Sequence, residues 1–342
     1  VSTIYDVARL ARVSTTTVSK VLSNTPYVSE KTRQRVLDAM RDLHYSPSLA
    51  ARGLTNKRTY VLGLIIPHDP EYSFRDPFLL EIIRGVEGVA SSSDYNVLLS
   101  MSKKSSHRAS YDRFLRMGYI DGVVTVETLK GELDEHELAA SGIPRVSAGY
   151  REDKQMVNSV VCNDRQGGYL VTKHLLELGH RRLGVISGPA NFIGAMDGRL
   201  QGFCDALTEY AVTLDGELLT YGDFSIESGS CAAEPLLYHA HRPTAIFAMN
   251  DRMALGVISK AREIGLHVPR DLSVVGFDDI PLTSIIDPPL TTIRQFPVEL
   301  GKIATQQLLS LINQGVSQFA SIVLPVELIV RGSTAAPARE GL

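Results

Sequence analysis

The chain has 342 residues, 44% of them hydrophobic and 21% charged, enough to bury a large core and to divide into two or three domains. Its longest apolar runs, such as Val61 to Pro67, fall far below the ~18 residues a membrane span needs, and the first residues lack the basic-then-apolar order of a signal peptide. A cytoplasmic protein with no membrane partner is expected. Three cysteines, Cys162, Cys204 and Cys231, offer neither a metal-ligand spacing nor an even count for a disulfide framework, so buried thiols and no metal site are expected.

The net charge of −3 conceals an asymmetry. Residues 1–60 carry ten Lys and Arg against four Asp and Glu, a net of +6, and the rest of the chain carries −9. A short basic head on an acidic body is the distribution expected when only the head meets a polyanion, of which nucleic acid is the commonest. On charge alone, a basic surface helix with no partner is the alternative.

Three helices are expected in the first 45 residues. Ile4, Val7, Ala8 and Ala11 share a face at 3.6-residue spacing, and Thr3 with Asp6 makes a capping pattern, giving a helix over about 4–11. Ser14 caps a second helix that buries Val18, Val21 and Leu22 and leaves Thr15, Thr16, Thr17, Ser19 and Lys20 outward. A third, about 30–44, is expected to bury Val36, Leu37, Met40 and Leu43 and to stop before Pro47. Two short helices joined by a tight turn, with small Ala8 and Ala11 at the crossing, describe a helix-turn-helix. Its second helix presents small polar groups at its N-terminal turn, which suits the major groove, and Thr15, Thr16 and Lys20 are the candidate base contacts. Thr3, Ser14, Ser19, Asn24, Tyr27, Ser29 and Lys31 are candidate phosphate positioners. A three-helix packing module with a solvated polar face remains the alternative reading.

Residues 47–59 are too short and small-sided to bury a face alone. If two copies meet on DNA, Leu54 is suited to wedge between base steps from the minor groove, with Arg52 and its basic neighbours on phosphate; a plain linker is the alternative. From Tyr60 onward, apolar runs at Val61 to Pro67, Tyr95 to Met101, Ile120 to Val126 and Pro144 to Ala148, then Leu183 to Gly188, Glu217 to Tyr221, Ala245 to Asn250 and Ser273 to Phe277, alternate with helical stretches. That is the pattern of parallel sheets covered on both faces. There are too many units for one sheet, so two α/β lobes are expected, with a ligand cleft at the C-terminal ends of the strands. Arg199, Phe224, Asn250, Asp278 and Asp279 fall near those ends: a guanidinium fork, a ring, an amide and carboxylates suit a polyol. Helix caps, surface ion pairs and core packing are the alternatives. No P-loop, zinc-protease or nucleophile-elbow motif is present and the nine histidines are scattered, so no catalytic residue, enzyme activity or cofactor is expected.

The stretches Thr3 to Ala8, Val13 to Ser19, Tyr45 to Ser48, Ala50 to Leu54, His174-Leu175, Leu178 to His180, Asn250-Asp251, Ser273 to Asp279 and Pro289 to Ile293 together resemble the LacI/GalR family of bacterial transcriptional repressors along essentially the whole chain. The resemblance implies a helix-turn-helix head (1–46), a hinge helix ordered on the operator (47–59), and a two-lobed, periplasmic-binding-protein-like core. The first lobe is placed at 60–162 plus 291–322 and the second at 163–290 plus 323–333, with a tail at 334–342. It further implies that Leu54 enters the minor groove, that Thr15, Thr16 and Lys20 face bases, that Arg199, Asn250 and Asp278 contact an effector, that Phe78 and Phe224 supply stacking rings, and that Asn163 and Asp164 lie nearby.

Three departures stand out. Arg12 occupies a turn position that favours glycine or asparagine, so a positive φ is expected there. The segment His68 to Asp76, which lines the cleft mouth in the family, is long for it, so that either an effector larger than a monosaccharide or added contacts from Asp69, Arg75 and Asp76 are expected. The tail after Arg331 carries no leucine heptads, so a dimer is expected. The resulting expectation is a homodimeric regulator, a repressor by resemblance, binding a palindromic operator under control of a small carbohydrate in the cleft. The alternatives are a purine or nucleoside corepressor, or a ligand-binding protein without a regulatory role.

Overall fold

The computed structural model describes residues 2–22, 26–45, 58–66, 68, 70–101, 118–126, 141–149, 158–190, 194–314 and 318–338. Asn24, Arg52, Leu54 and most of the expected connector lie outside the described residues, as does Asp69. The chain forms two compact units, Val1–Tyr60 and Val61–Leu342.

Among the described residues the first unit holds three helices, α1 (Ile4–Leu10), α2 (Thr15–Leu22) and α3 (Glu30–Asp42). The Thr3 backbone N–H and hydroxyl both donate to Asp6 (2.9 and 2.7 Å), closing the start of α1. Arg12 takes φ +51° in the turn, as its position demands, and the Val13 N–H reaches back to the Ala8 carbonyl at 3.0 Å. Ser14 caps α2 by accepting from the Thr17 N–H at 3.1 Å. Val7, Ala8, Ala11, Val18, Val21, Val36 and Ala39 are the buried core. Leu37 departs from expectation, being 40% exposed. The inward arc of α3 runs through Val36 and Ala39, which places Leu37 on the rim of a surface groove with Met40 and Tyr45.

The second unit holds two parallel sheets. In the first, β1 (Val61–Ile66), β2 (Asn96–Met101), β3 (Gly122–Val126), β4 (Arg145–Ala148) and β5 (Ser159–Cys162) join a strand from near the C-terminus, β11 (Ile322–Leu324), in the order β11-β5-β4-β3-β1-β2. The short helix α4 (Pro70–Arg75) and α5 (Pro77–Ser92) come after β1. In the second sheet, β6 (Leu183–Ser187), β7 (Leu219–Tyr221), β8 (Ala245–Ala248) and β9 (Ser273–Val275) lie in the order β7-β6-β8-β9. Helices α6 (Asp164–Glu177), α7 (Ala195–Glu209), α8 (Ile226–Leu237) and α9 (Asp251–Glu263) alternate with these strands. β7 starts two residues later than expected, because Asp215 accepts from the Glu217 N–H at 3.1 Å and winds Gly216–Leu218 into a 3₁₀ turn.

The chain crosses between lobes on β10 (Thr292–Arg294) and β12 (Glu327–Ile329), an antiparallel pair separate from both sheets. Between them, α10 (Pro297–Gln314) packs on the first lobe. Ile293 is buried in the core of the second lobe, and Val323 and Leu324 pair with β5 in the first sheet. Of the three thiols only Cys162 is buried; Cys204 is half-buried and Cys231 exposed, because the apolar face of α8 is filled by Gly229, Ala232, Ala233, Leu236 and Leu237 instead. No group of metal-ligating side chains is present among the described residues.

Candidate functional site

The second lobe builds its wall of the cleft from strand ends. Helices α6 and α7 cross on Gly168 and Gly202, where a side-chain methyl would overlap the carbonyls of Arg199 and Arg165 respectively. This close approach sets Arg199 beside Asp164, to which its Nε donates at 2.8 Å. The same guanidinium donates through Nη1 to the Met249 carbonyl, lies 4.0 Å from Asp278 and stacks on the Phe277 ring at 3.7 Å. Arg199 is therefore buried yet held on four sides, which is how a buried charge is tolerated.

Asn250 caps α9, its Oδ1 accepting from the Met253 N–H at 2.9 Å, while its Nδ2 donates to the Phe224 carbonyl at 3.1 Å. Expected as a cap or as a ligand group, Asn250 serves as the first and keeps one N–H and one oxygen lone pair for the second. Three cleft residues, Phe224 (φ +69°), Asp278 (+125°) and Asp279 (+59°), occupy left-handed backbone that L side chains rarely adopt. Such strain concentrates where a site needs side chains aimed by the surrounding structure. Here Asp278 is fixed by its N–H to the Ile293 carbonyl (2.8 Å) and by the Gln295 amide donating to Oδ1 (2.7 Å).

The neighbouring carboxylates have different electrostatic settings. Burial, with Asp251 and Asp76 adding to it, holds Asp278 well above the usual carboxylate range against the pull of Arg199. Burial likewise raises Asp164, opposed by Arg199. Asp251 is pushed up to about 7 by burial although Thr292 and the Ile280 N–H bond it. Asp279 goes the other way: burial raises it, but hydrogen bonds from Arg331 and Arg294 outweigh that and keep it low. Asp279 thus ties the chain crossing together.

These elements enclose a cavity of about 40 Å³ lined by His68, Tyr72, Asp76, Phe78, Leu79, Met196, Arg199, Phe224, Asn250 and Asp278. Five of the six expected effector residues line it. The sixth, Asp164, stands behind Arg199 and orients it. His68, Tyr72, Leu79 and Met196 were not foreseen. Of the candidates in the long segment, Asp76 lines the cavity, whereas Arg75 pairs with Glu71 at the surface. Gln295 was missed because β10, which ends just before it, is three residues long and too short to show alternation.

In the head, Thr16 and Lys20 are exposed on one side of α2 and Thr15 is half-buried at its first turn. Thr3 and Ser14 are exposed with their hydroxyls engaged in helix caps, and Tyr27 is 91% exposed.

Residues 3–48 match the model of bacterial regulatory proteins of the lacI family, and residues 172–334 match a periplasmic binding protein-like domain. The chain is 35% identical over 341 residues to the HTH-type transcriptional repressor PurR of Aliivibrio salmonicida, covering 97% of this chain and 98% of the relative. It is 33% identical over 333 residues to the ribose operon repressor of Haemophilus influenzae, with 97% and 98% covered. Among solved structures it is similar to a lac repressor dimer bound to operator and the anti-inducer ONPF, with a TM-score of 0.85, 30% identity, and 98% and 99% of the two chains covered.

Proposed function

The chain belongs to the lacI family of bacterial regulatory proteins, and from that premise we propose that it is a dimeric operator-binding repressor whose cleft takes a small uncharged carbohydrate. Regulation of DNA binding by a small-molecule effector comes with the family; the chemistry of the effector is read from the cleft. The observation that carries it is the set of polar groups converging on one cavity: the carboxyls of Asp278 and Asp76, the buried guanidinium of Arg199 and the spare valences of Asn250, beside the Phe78 and Phe224 rings. Carboxylates accept pairs of hydroxyls, an arginine fork and an amide donate to them, and rings cover the apolar face of a sugar. A nucleobase is the second reading, favoured by two rings on the same cavity.

In the head, Thr15, Thr16 and Lys20 read base edges, with Thr3, Ser14 and Tyr27 on the backbone and, beyond the described residues, Asn24, Arg52 and Leu54. A thermal-shift panel of ribose, galactose and cellobiose against adenine and hypoxanthine tests the cleft. A rise in Tm with a sugar and none with the bases is expected, and the reverse would make the effector a purine. Operator affinity should fall steeply with salt, and Lys31→Ala, which removes a candidate phosphate contact, flattens the slope by about 1.

A further inference from the structure

The wall contributed by the first lobe holds an arrangement of which the effector reading uses only Asp76. Tyr72, on α4, belongs by chain to the first lobe, yet it packs against the hydrophobic core of the second. Its hydroxyl donates to Asp76 Oδ2 at 3.0 Å, its ring lies 4.8 Å from that of His68, and the guanidinium of Arg252 on α9 stands over it at 5.3 Å. Asp76 is itself fixed as the cap of α5, accepting from the Phe78 N–H at 3.0 Å. Arg252 faces it from the other lobe with Nη1 at 3.6 Å from Asp76 Oδ2, too long for a hydrogen bond. The Arg252 side chain is only 12% exposed, and Nη1 has no hydrogen-bond partner among the described residues. A buried donor left without an acceptor is costly and uncommon.

The cavity beneath this group, about 40 Å³, accommodates a few waters where effector sites span about 300–1,000 Å³. Tyr72 is among the side chains that take up the missing space, and it does so with a hydroxyl-bearing ring that satisfies Asp76 but leaves Arg252 Nη1 unmet. We infer that Tyr72, Asp76 and Arg252 mark a hydroxyl-recognising subsite of the cleft, held in this structure by the protein's own phenol, with Arg252 as its specificity-determining residue. The inference rests on the carbohydrate reading above. An effector hydroxyl that displaces the phenol donates to Asp76 and accepts from Arg252 Nη1 at once, completing both partners. An anion in that place meets the Asp76 carboxylate and a cation meets Arg252, so the uncharged hydroxyl is selected. Tyr72 is thereby an internal competitor of the effector, and the hydroxyl on its ring displays the chemistry the subsite prefers.

Calorimetric titration of the full-length protein with ribose, galactose and cellobiose tests this. Tyr72→Ala is expected to tighten binding of the sugar that the wild type takes by about tenfold, since the ligand no longer has to displace the phenol. Arg252→Ala is expected to weaken it by about 10- to 100-fold, in the wild type and in the Tyr72→Ala background alike. Tyr72→Phe, which keeps the packing and removes only the hydroxyl, should tighten binding a few-fold and guards against a misfolded alanine variant. Unchanged or weaker binding in both Tyr72 variants, or full affinity in Arg252→Ala, overturns the subsite while leaving the carbohydrate reading intact. If none of the three sugars binds any variant, the carbohydrate reading falls, and the subsite with it.

Discussion

The two walls of the cleft are built by different means. The second lobe presents Arg199, Phe224, Asn250 and Asp278 from helices and turns that leave parallel strands, each fixed by backbone or buried side-chain bonds. The first lobe presents His68, Tyr72 and Asp76 from a six-residue helix and its flanks; Asp76 caps α5, and Tyr72 and Asp76 face Arg252 across the cleft. The wall with rigid support is suited to anchoring any ligand of the right class. The wall built on the short helix is suited to deciding which member of the class enters. Catalytic and binding sites work best when their polar groups are preorganised on regular elements, and specificity is adjusted most cheaply on short connecting segments.

The supported wall is most vulnerable at Arg199. Arg199→Ala strands the recessed Asp164 and Asp278 without their cation, so a loss of about 3–5 kcal/mol in core stability is expected together with loss of effector binding. Chemical denaturation and calorimetry measure both, and an Arg199→Ala core of normal stability that still binds would remove Arg199 from its anchoring role. Next is Asp278. Its carboxyl lies well above the usual range because it is buried, and ligand hydroxyls donate to the ionised form. Binding therefore releases a proton, and affinity rises with pH until the ligand-free carboxyl is ionised, then levels. Titration across pH and in buffers of different ionisation enthalpy reads this, with Asp278→Asn expected to weaken binding and flatten the profile. A profile that falls with pH contradicts the assignment.

Asp251, which bonds Thr292 on the crossing strand, gives an effect that involves stability alone. Its folded pKa of about 7 stands above the ordinary 3.8. The folded state thus holds a proton that the unfolded state has lost, and stability declines with rising pH between those values by up to about 1.4 kcal/mol per unit. The difference between the wild type and Asp251→Asn should carry that slope; a flat difference would contradict it. The smallest effect belongs to the first-lobe wall: His68→Ala removes one ring contact to Tyr72, and about 1 kcal/mol is expected in the melting of the core.

Legibility from sequence divides along the same line. Parallel strands announce themselves as continuous apolar runs, and the physics of doubly wound sheets puts binding groups just after them, so Asn250 and Asp278 can be found from the chain alone. Helix α4 is too short for periodicity, and although Tyr72 bonds Asp76 and meets His68 nearby in sequence, its other partners, Arg252 and the core of the second lobe, are distant along the chain. Leu37 shows the same limit in the head, because a leucine one residue from the buried arc of a helix is indistinguishable by composition from one inside it. Resemblance supplied Phe78, which packing arguments had not. It also brought in Asp164, whose position behind Arg199 makes it a support for the guanidinium.

Whether the cleft and the head are linked in one dimeric regulator is decided by measuring both sides of the linkage on the same preparation. Operator affinity is titrated by fluorescence anisotropy with and without a saturating sugar identified by the panel, and sugar affinity is titrated with and without saturating operator. The two shifts are expected to be equal in factor and alike in sign. An operator affinity unmoved by a sugar that demonstrably fills the cleft would contradict that coupling.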